Sequence, residues 1–419
     1  MLSAMTRVLA VLLLLTCAVR AQEAASKAPS IPLEEYATRR AELQKAFPGV
    51  LLLLEADPLH EGMANIDKNK YVYDFPYLTG YHQLEDILVI DPDSGSILFT
   101  SGKLEKMKES TGIADVRSRD EFPAYVKKAL GKVAKAHTRL REKSKKIVDA
   151  LAKETEVELS AAGARIQKEI TKLRLIKSPA ELEMLKKAAD ATNKAHLAAM
   201  KVCRPGINEK LLQNTVEDKF RKEGCDGLGF PSIIGSGKNG TILHYDENKD
   251  VVPAASLVVC DIGASYRGYV TDITRTLPTS GKFTEIHKKA YQCVLDAQKA
   301  AEALLKPGVT WGDLSKAASA VFEERNMTDY SSEHNKWPRG HSLGHQVGLS
   351  VHDPDLGMKL QEGMVITIEP GYYNWKDGWG IRIEDIYIVT KDGFERMSAL
   401  PPREVDEIEA LMQGKKKEH

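Results

Sequence analysis

Apolar and polar positions fall into blocks along the chain. GVLLLLEA (49–56), EDILVIDP (85–92) and SGSILFT (94–100) are short apolar runs bounded by turn residues, the pattern of buried strands. Segments 34–46 and 121–155 carry helical periodicity instead. From Pro32 to about Lys172 this alternation predicts one α/β unit of about 140 residues, an ordinary domain size. Ser178-Pro179-Ala180-Glu181 then reads as a helix start: a capping hydroxyl, proline in the first turn and an acid near the positive end of the helix. Further helices are expected at 208–223, 283–305 and 311–325, after one at 179–201. They are interleaved with strand pairs at 256–263 with 268–276 and at 364–369 with 381–390. Helices mixed with antiparallel hairpins predict an α+β domain.

The amino terminus breaks this pattern. One arginine precedes an apolar run from Val8 to Val19, and Val19-Arg20-Ala21 puts small residues where a signal peptidase reads. The run is short for a membrane span. It predicts a signal peptide over 1–21, export to the periplasm or the medium, and no stable membrane span. The expected mature organisation is an N-terminal domain over 22–171 and a catalytic domain over 172–413.

Charge adds one exclusion. Lysine plus arginine equals aspartate plus glutamate, so the formal net charge is zero. The lysine-rich stretch from Lys127 to Lys153 has Val126, Ala129, Leu130, Val133 and Ala134 at helical spacing, which makes it a solvated helix face. No nucleic-acid partner is expected. Of the five cysteines, Cys17 falls in the signal segment; the remaining four are too few for a disulfide framework in so long a chain. The sequence leaves a Cys203–Cys225 bridge open.

Three motifs carry candidate chemistry. Gly235-Ser-Gly237-Lys-Asn-Gly240 has the glycine spacing of a dinucleotide fingerprint but runs into TILHYDEN, which lacks the helix such a site requires. HSLGHQVGLSVHD (341–353) has His341 and His345 four apart, as in helical zinc sites. However, Ser342 stands where a glutamate base belongs, and Gly344 and Gly348 each cost a helix about 1 kcal/mol. The third motif is a pair of acid-bearing hairpins. A turn at Ser265-Tyr266-Arg267-Gly268 places Asp261 directly opposite Asp272, and the second strand pair brings Glu369 toward Glu384. Opposed carboxylates about 5 Å apart repel by about 3 kcal/mol at an effective dielectric near 20. Two divalent cations would balance four such charges, and an oxygen-rich set with one imidazole suits manganese, cobalt or iron(II) at least as well as zinc. Two metals in one site imply water activation and hydrolysis.

Asp261, Asp272, His345, Glu369 and Glu384, in the contexts DIGASYRGYVTDITRT, HSLGHQVGLSVHD, ITIEPG and IRIED, resemble the five metal ligands of the pita-bread metallopeptidases. The likeness spans about 172–412. It is similar to the Xaa-Pro aminopeptidase (aminopeptidase P) and prolidase branch, which adds a creatinase-like N-terminal domain; NKYVYDFPYLTGYHQLEDILVI resembles that domain more loosely. The resemblance implies an α/β N-terminal domain followed by an α+β pita-bread catalytic domain. It also implies two divalent ions, manganese first with cobalt, iron(II) or zinc as alternatives. Asp261 would chelate one ion and His345 and Glu369 the other, with Asp272 and Glu384 bridging. Glu369 would accept the proton of the attacking water. His244, His341 and His352 would bind substrate or steady the tetrahedral intermediate, and Arg382 would support the bridging glutamate. The implied substrate is a peptide with proline second, and a homo-oligomer, dimer or tetramer, follows from resemblance. An Xaa-Pro aminopeptidase is the expectation; an Xaa-Pro dipeptidase (prolidase) and a metal-free peptide-binding relative are the alternatives. Methionine aminopeptidases share the ligands but lack the first domain.

Overall fold

The structure is a computed structural model in which residues 30–60, 62–63, 66–160, 163–327 and 341–414 are described. The signal-like segment 1–21 lies outside the described residues. Among those described, no helix is long and apolar enough to cross a membrane.

The N-terminal half is built on six strands: β1 (Leu51–Glu55), β2 (Ile87–Asp91), β3 (Gly95–Thr100), β4 (Asp115–Ser118), β5 (Lys135–Arg139) and β6 (Glu158–Ser160). Their order in the sheet is β4-β3-β2-β1-β5-β6, with β2 antiparallel to both neighbours and β1, β5 and β6 mutually parallel. Every residue of β1 and β2 is buried, because side chains point alternately to two covered faces. Leu51, Leu53, Ile87 and Val89 pack with Phe122, Val126, Leu130 and Val148 from two helices. Leu52, Leu54, Leu88 and Ile90 face the other way, into a cluster that continues through Ile166 and Met184 to Val347, Val365 and Ile386. One face of this sheet therefore shares its core with the second half of the chain.

Two elements differ from the sequence pattern. The helical stretch expected over 121–155 is two helices, Phe122–Leu130 and Glu142–Thr155, with β5 between them. Lys135 and Arg139 disguise this strand, although Ala136, His137 and Thr138 at its centre are buried. The helix Gly163–Leu175 precedes the expected helix start, where Ser178 Oγ accepts from the Glu181 N–H and the Glu181 carboxylate accepts from the Ser178 N–H. That reciprocal pair caps the 24-residue helix Pro179–Val202.

The second half carries shorter sheets: β7 (Gly227–Leu228), β8 (Ile233–Ser236), β9 (Leu257–Ile262), β10 (Ala264–Tyr266), β11 (Tyr269–Val270), β12 (Ile273–Pro278), β13 (Val365–Ile368), β14 (Gly371–Asn374), β15 (Trp379–Arg382), β16 (Asp385–Val389) and β17 (Phe394–Arg396). They pair as β12-β9-β8, β11-β10-β7, β13-β16-β17 and β14-β15. Helices Pro179–Val202, Glu209–Lys222, Glu285–Glu302 and Trp311–Glu324 match the expected spans to within two or three residues.

The register of the first hairpin is shifted by two residues from the expected one. Tyr266 pairs with Tyr269, so the turn is the two-residue pair Arg267-Gly268, both with positive φ (50° and 79°). Positive φ at both central positions marks a type I′ turn, whose twist matches a hairpin. Asp261 consequently faces Thr274, and Asp272 is its diagonal neighbour. A slip of two leaves every side chain on its original face, so both aspartates still share one side. In the second hairpin Ile368 pairs with Asp385 and Gly371 with Arg382, which sets Glu369 against Glu384 between the two ladders. The Glu384 N–H donates to the Thr274 carbonyl at 3.1 Å and joins the two hairpins.

Candidate metal centre

The loop 341–353 is not helical. Its glycines allow close approach: a Cβ at Gly344 would collide with the Thr367 carbonyl, and one at Gly348 with the Asp353 carboxylate. That approach carries His345 to the end of β13, where its N–H donates to Thr367 Oγ1 at 3.1 Å. His345 Nδ1 lies 3.1 Å from the Gln346 carbonyl, which can only accept, so Nδ1 carries the proton and Nε2 presents a lone pair. Nε2 faces Glu369 at 3.3 Å, Asp272 at 3.6 Å and Glu384 at 4.0 Å. Burial, reinforced by the neighbouring His352, keeps this imidazole well below its ordinary pKa and hence neutral, as a metal ligand must be.

Asp261 enters the same cavity from β9. Arg382 donates to its Oδ2 at 2.6 Å, to Thr274 Oγ1 at 3.2 Å and to the Tyr373 hydroxyl at 3.0 Å. Thr274 in turn donates to Glu384 Oε2 at 2.7 Å. One oxygen on each of Asp261, Asp272 and Glu384 nevertheless accepts no hydrogen bond, although all three residues are buried. Burial and mutual repulsion raise the proton affinity of three of the acids: Asp272 and Glu369 lie well above the ordinary carboxylate range, and Glu384 is pushed up to about 8. Asp272, His345 and Glu384 offer ligand atoms all within 4.8 Å of one another. Buried acids with unsatisfied oxygens, grouped with a neutral imidazole, fit a divalent cation.

The surrounding cavity holds about 1120 Å³ and is lined by all five candidate ligands, by His244, His341 and His352, and by Met63, Asp67 and Lys70 from the N-terminal half. His341 is engaged on both nitrogens: Nδ1 lies 2.8 Å from the Ser342 carbonyl and Nε2 2.9 Å from the Tyr373 hydroxyl. Burial and the nearby Arg382 charge drop its pKa to about 3. The His352 ring sits 4.3 Å from His345 and 6.3 Å from His244, centre to centre. Asp353, the next residue, accepts from Arg174 at 2.5 Å, and Arg174 also reaches Asp74 and the Lys70 carbonyl at 2.6 Å each. A buried guanidinium thus ties the histidine loop to the N-terminal half.

Sequence reasoning missed Thr274, Tyr373 and Asp67. Thr274 was within reach, since the two-residue register shift puts it opposite Asp261; Tyr373 and Asp67 carry no local signal. The glycine motif at 235–240 ends β8 and forms a short 3₁₀ turn, with no helix behind it. Cys203, Cys225, Cys260 and Cys293 are free thiols.

Fold and cavity together define a metal-dependent hydrolase. Residues 183–391 match the metallopeptidase family M24. The Xaa-Pro aminopeptidase of Escherichia coli (strain K12) is 30% identical in an alignment covering 93% of this chain and 99% of that protein. Among solved structures, Zn-substituted E. coli aminopeptidase P in complex with product superposes with a TM-score of 0.79 at 27% identity, covering 93% of this chain and 100% of that one. Proline aminopeptidase P II from Yersinia pestis gives 0.78 at 27% identity, covering 91% and 100%. This chain belongs to metallopeptidase family M24 and has the pita-bread fold of its aminopeptidase P structures.

Proposed function

We propose that the protein is an Xaa-Pro aminopeptidase that removes the first residue of peptides with proline second, using two divalent cations, manganese first. The observation that carries this reading is the group of Asp272 and Glu384, buried acids that each keep an oxygen without a hydrogen bond, with the lone pair of His345. Likeness to the E. coli Xaa-Pro aminopeptidase along nearly its whole length supports the substrate class.

Asp261, Asp272, His345, Glu369 and Glu384 would hold the ions. When bound, the ions supply Lewis acidity and a lowered pKa for water. Glu369 would accept a proton from the attacking water and return it to the departing proline nitrogen. His341 borders Glu369, with Nδ1 3.4 Å from its carboxylate, while the Ser342 carbonyl and the Tyr373 hydroxyl fix the ring through its two nitrogens. Arg382 orients Asp261 directly and Glu384 through Thr274. His244 and His352 line the cavity where a peptide carbonyl would lie and can donate to it. The signal-like pattern of segment 1–21 supports export.

The test is turnover of Xaa-Pro-Yaa tripeptides and Xaa-Pro dipeptides after stripping with chelator and reloading with Mn²⁺. Release of the first residue from tripeptides is expected. Cleavage of dipeptides alone would make the protein a prolidase, and no cleavage of either would favour a peptide-binding relative.

A further inference from the structure

We propose that Asp67, on the short helix Ile66–Asn69 of the N-terminal half, is a positioning residue for His352. The N-terminal half would thereby complete the peptidase site of its own chain; this rests on the function proposed above. Asp67 Oδ1 lies 2.9 Å from His352 Nδ1. A carboxylate can only accept, so Nδ1 carries a proton and Nε2 becomes the nitrogen available to the cavity. Against burial, the His352 hydrogen bond holds the Asp67 carboxyl below its ordinary range, consistent with the ionised acceptor. His352 Nε2 has no hydrogen-bond partner among the described residues, while the ring lines the cavity beside His345 and His244. Without Asp67 the ring could turn over and offer either nitrogen to a substrate.

The surroundings hold the two partners in register. The backbone around Asp67 is closed by Asn69, whose amide donates to the His60 carbonyl at 2.7 Å and whose carbonyl accepts from the His60 N–H at 2.8 Å. Three residues after Asp67, the Lys70 carbonyl accepts from Arg174, and the same guanidinium binds Asp353, the residue after His352. Both members of the pair therefore hang on one buried cation. The Asp67 side chain is 70% exposed, so the pair contributes little to stability, and its consequence is orientation.

Orientation predicts a loss in kcat rather than in KM. Asp67→Ala is expected to lower kcat on an Xaa-Pro tripeptide by about 10- to 100-fold with KM changed less than about threefold and an unchanged unfolding midpoint. Asp67→Asn, whose carbonyl oxygen still accepts, is expected to recover part of that loss. In a His352→Ala background, Asp67→Ala is expected to cost nothing further. An effect on kcat below about twofold, or losses that multiply in the double variant, would overturn the proposal. A readout independent of turnover is the ¹⁵N spectrum of labelled histidines, with His352 assigned from its own variant. The neutral ring should be protonated on Nδ1 in the wild type and shift toward Nε2 protonation in Asp67→Ala; an unshifted spectrum contradicts the proposal. If the wild type cleaves no Xaa-Pro peptide, the functional reading fails while the spectrum still decides the Asp67 arrangement.

Discussion

Two clefts in this molecule are lined by buried acids, and they end differently. In the N-terminal half, Glu55 at the end of β1 borders a cavity of about 500 Å³. Its two oxygens accept from the Arg141 N–H and the Ser144 hydroxyl at 2.9 Å each, and Arg119 stands 3.6 Å away. Every need of that carboxylate is met from within the chain. In the second half, Asp261, Asp272 and Glu384 each keep an oxygen without a donor, and Arg382 is committed to Asp261, Thr274 and Tyr373. Buried acid alone does not mark a site; buried acid left unsatisfied beside a lone pair does.

Removing an acid from each cleft should therefore have opposite consequences. Asp272→Ala is expected to lower turnover by about 10³-fold or more, with loss of metal measured by mass spectrometry. Glu55→Ala should leave turnover within about twofold and instead cost about 1–3 kcal/mol in chemical denaturation, because it strands the Ser144 and Arg141 donors. Comparable loss of activity in both variants would erase the distinction.

The next largest effect concerns the rim of the catalytic cavity. His352→Ala is expected to reduce kcat by about 10- to 100-fold while metal content stays near that of the wild type. Loss of the ions in this variant would place His352 among the ligands.

Proton affinity separates the clefts in a third way. Glu384 is pushed from 4.5 up to about 8 by burial first and then by Asp261. An acid whose folded pKa lies above its unfolded value stabilises the fold fully below the unfolded pKa, and that contribution disappears as pH rises through the folded value. Metal-free protein should accordingly lose thermal stability as pH climbs from 4.5 towards about 8, and added Mn²⁺ should restore it by displacing the protons. A melting temperature that stays level across this range without metal would contradict the repulsion inferred for the acids. The smallest expected effect is that of Thr274→Val, which removes the donor to Glu384 and should weaken metal affinity about 10-fold while leaving the ligands in place.

How much of this was legible in the sequence depends on the range of the interaction involved. Ser178 and Glu181 sit three apart, so local chemistry declares their helix start. The four acids of the cavity were readable because each interrupts an apolar strand run, whereas His345 was singled out from three histidines only by family resemblance. The register was misjudged by two because Arg267, not a glycine, occupies the first positive-φ position of the turn. The face survived the error because strand side chains repeat every two residues. β5 was hidden by its charged ends, a common cost of reading period alone. The bond between Asp67 and His352 joins residues 285 positions apart, and no local pattern encodes it.

The most direct measurement is calorimetric titration of chelator-stripped protein with Mn²⁺, followed by an Xaa-Pro-Yaa assay on the same sample. Two ions are expected to bind per chain, with activity appearing as they bind and neither binding nor activity in Asp272→Ala. Wild-type protein that binds no divalent ion, or that cleaves as well without one, would contradict this expectation.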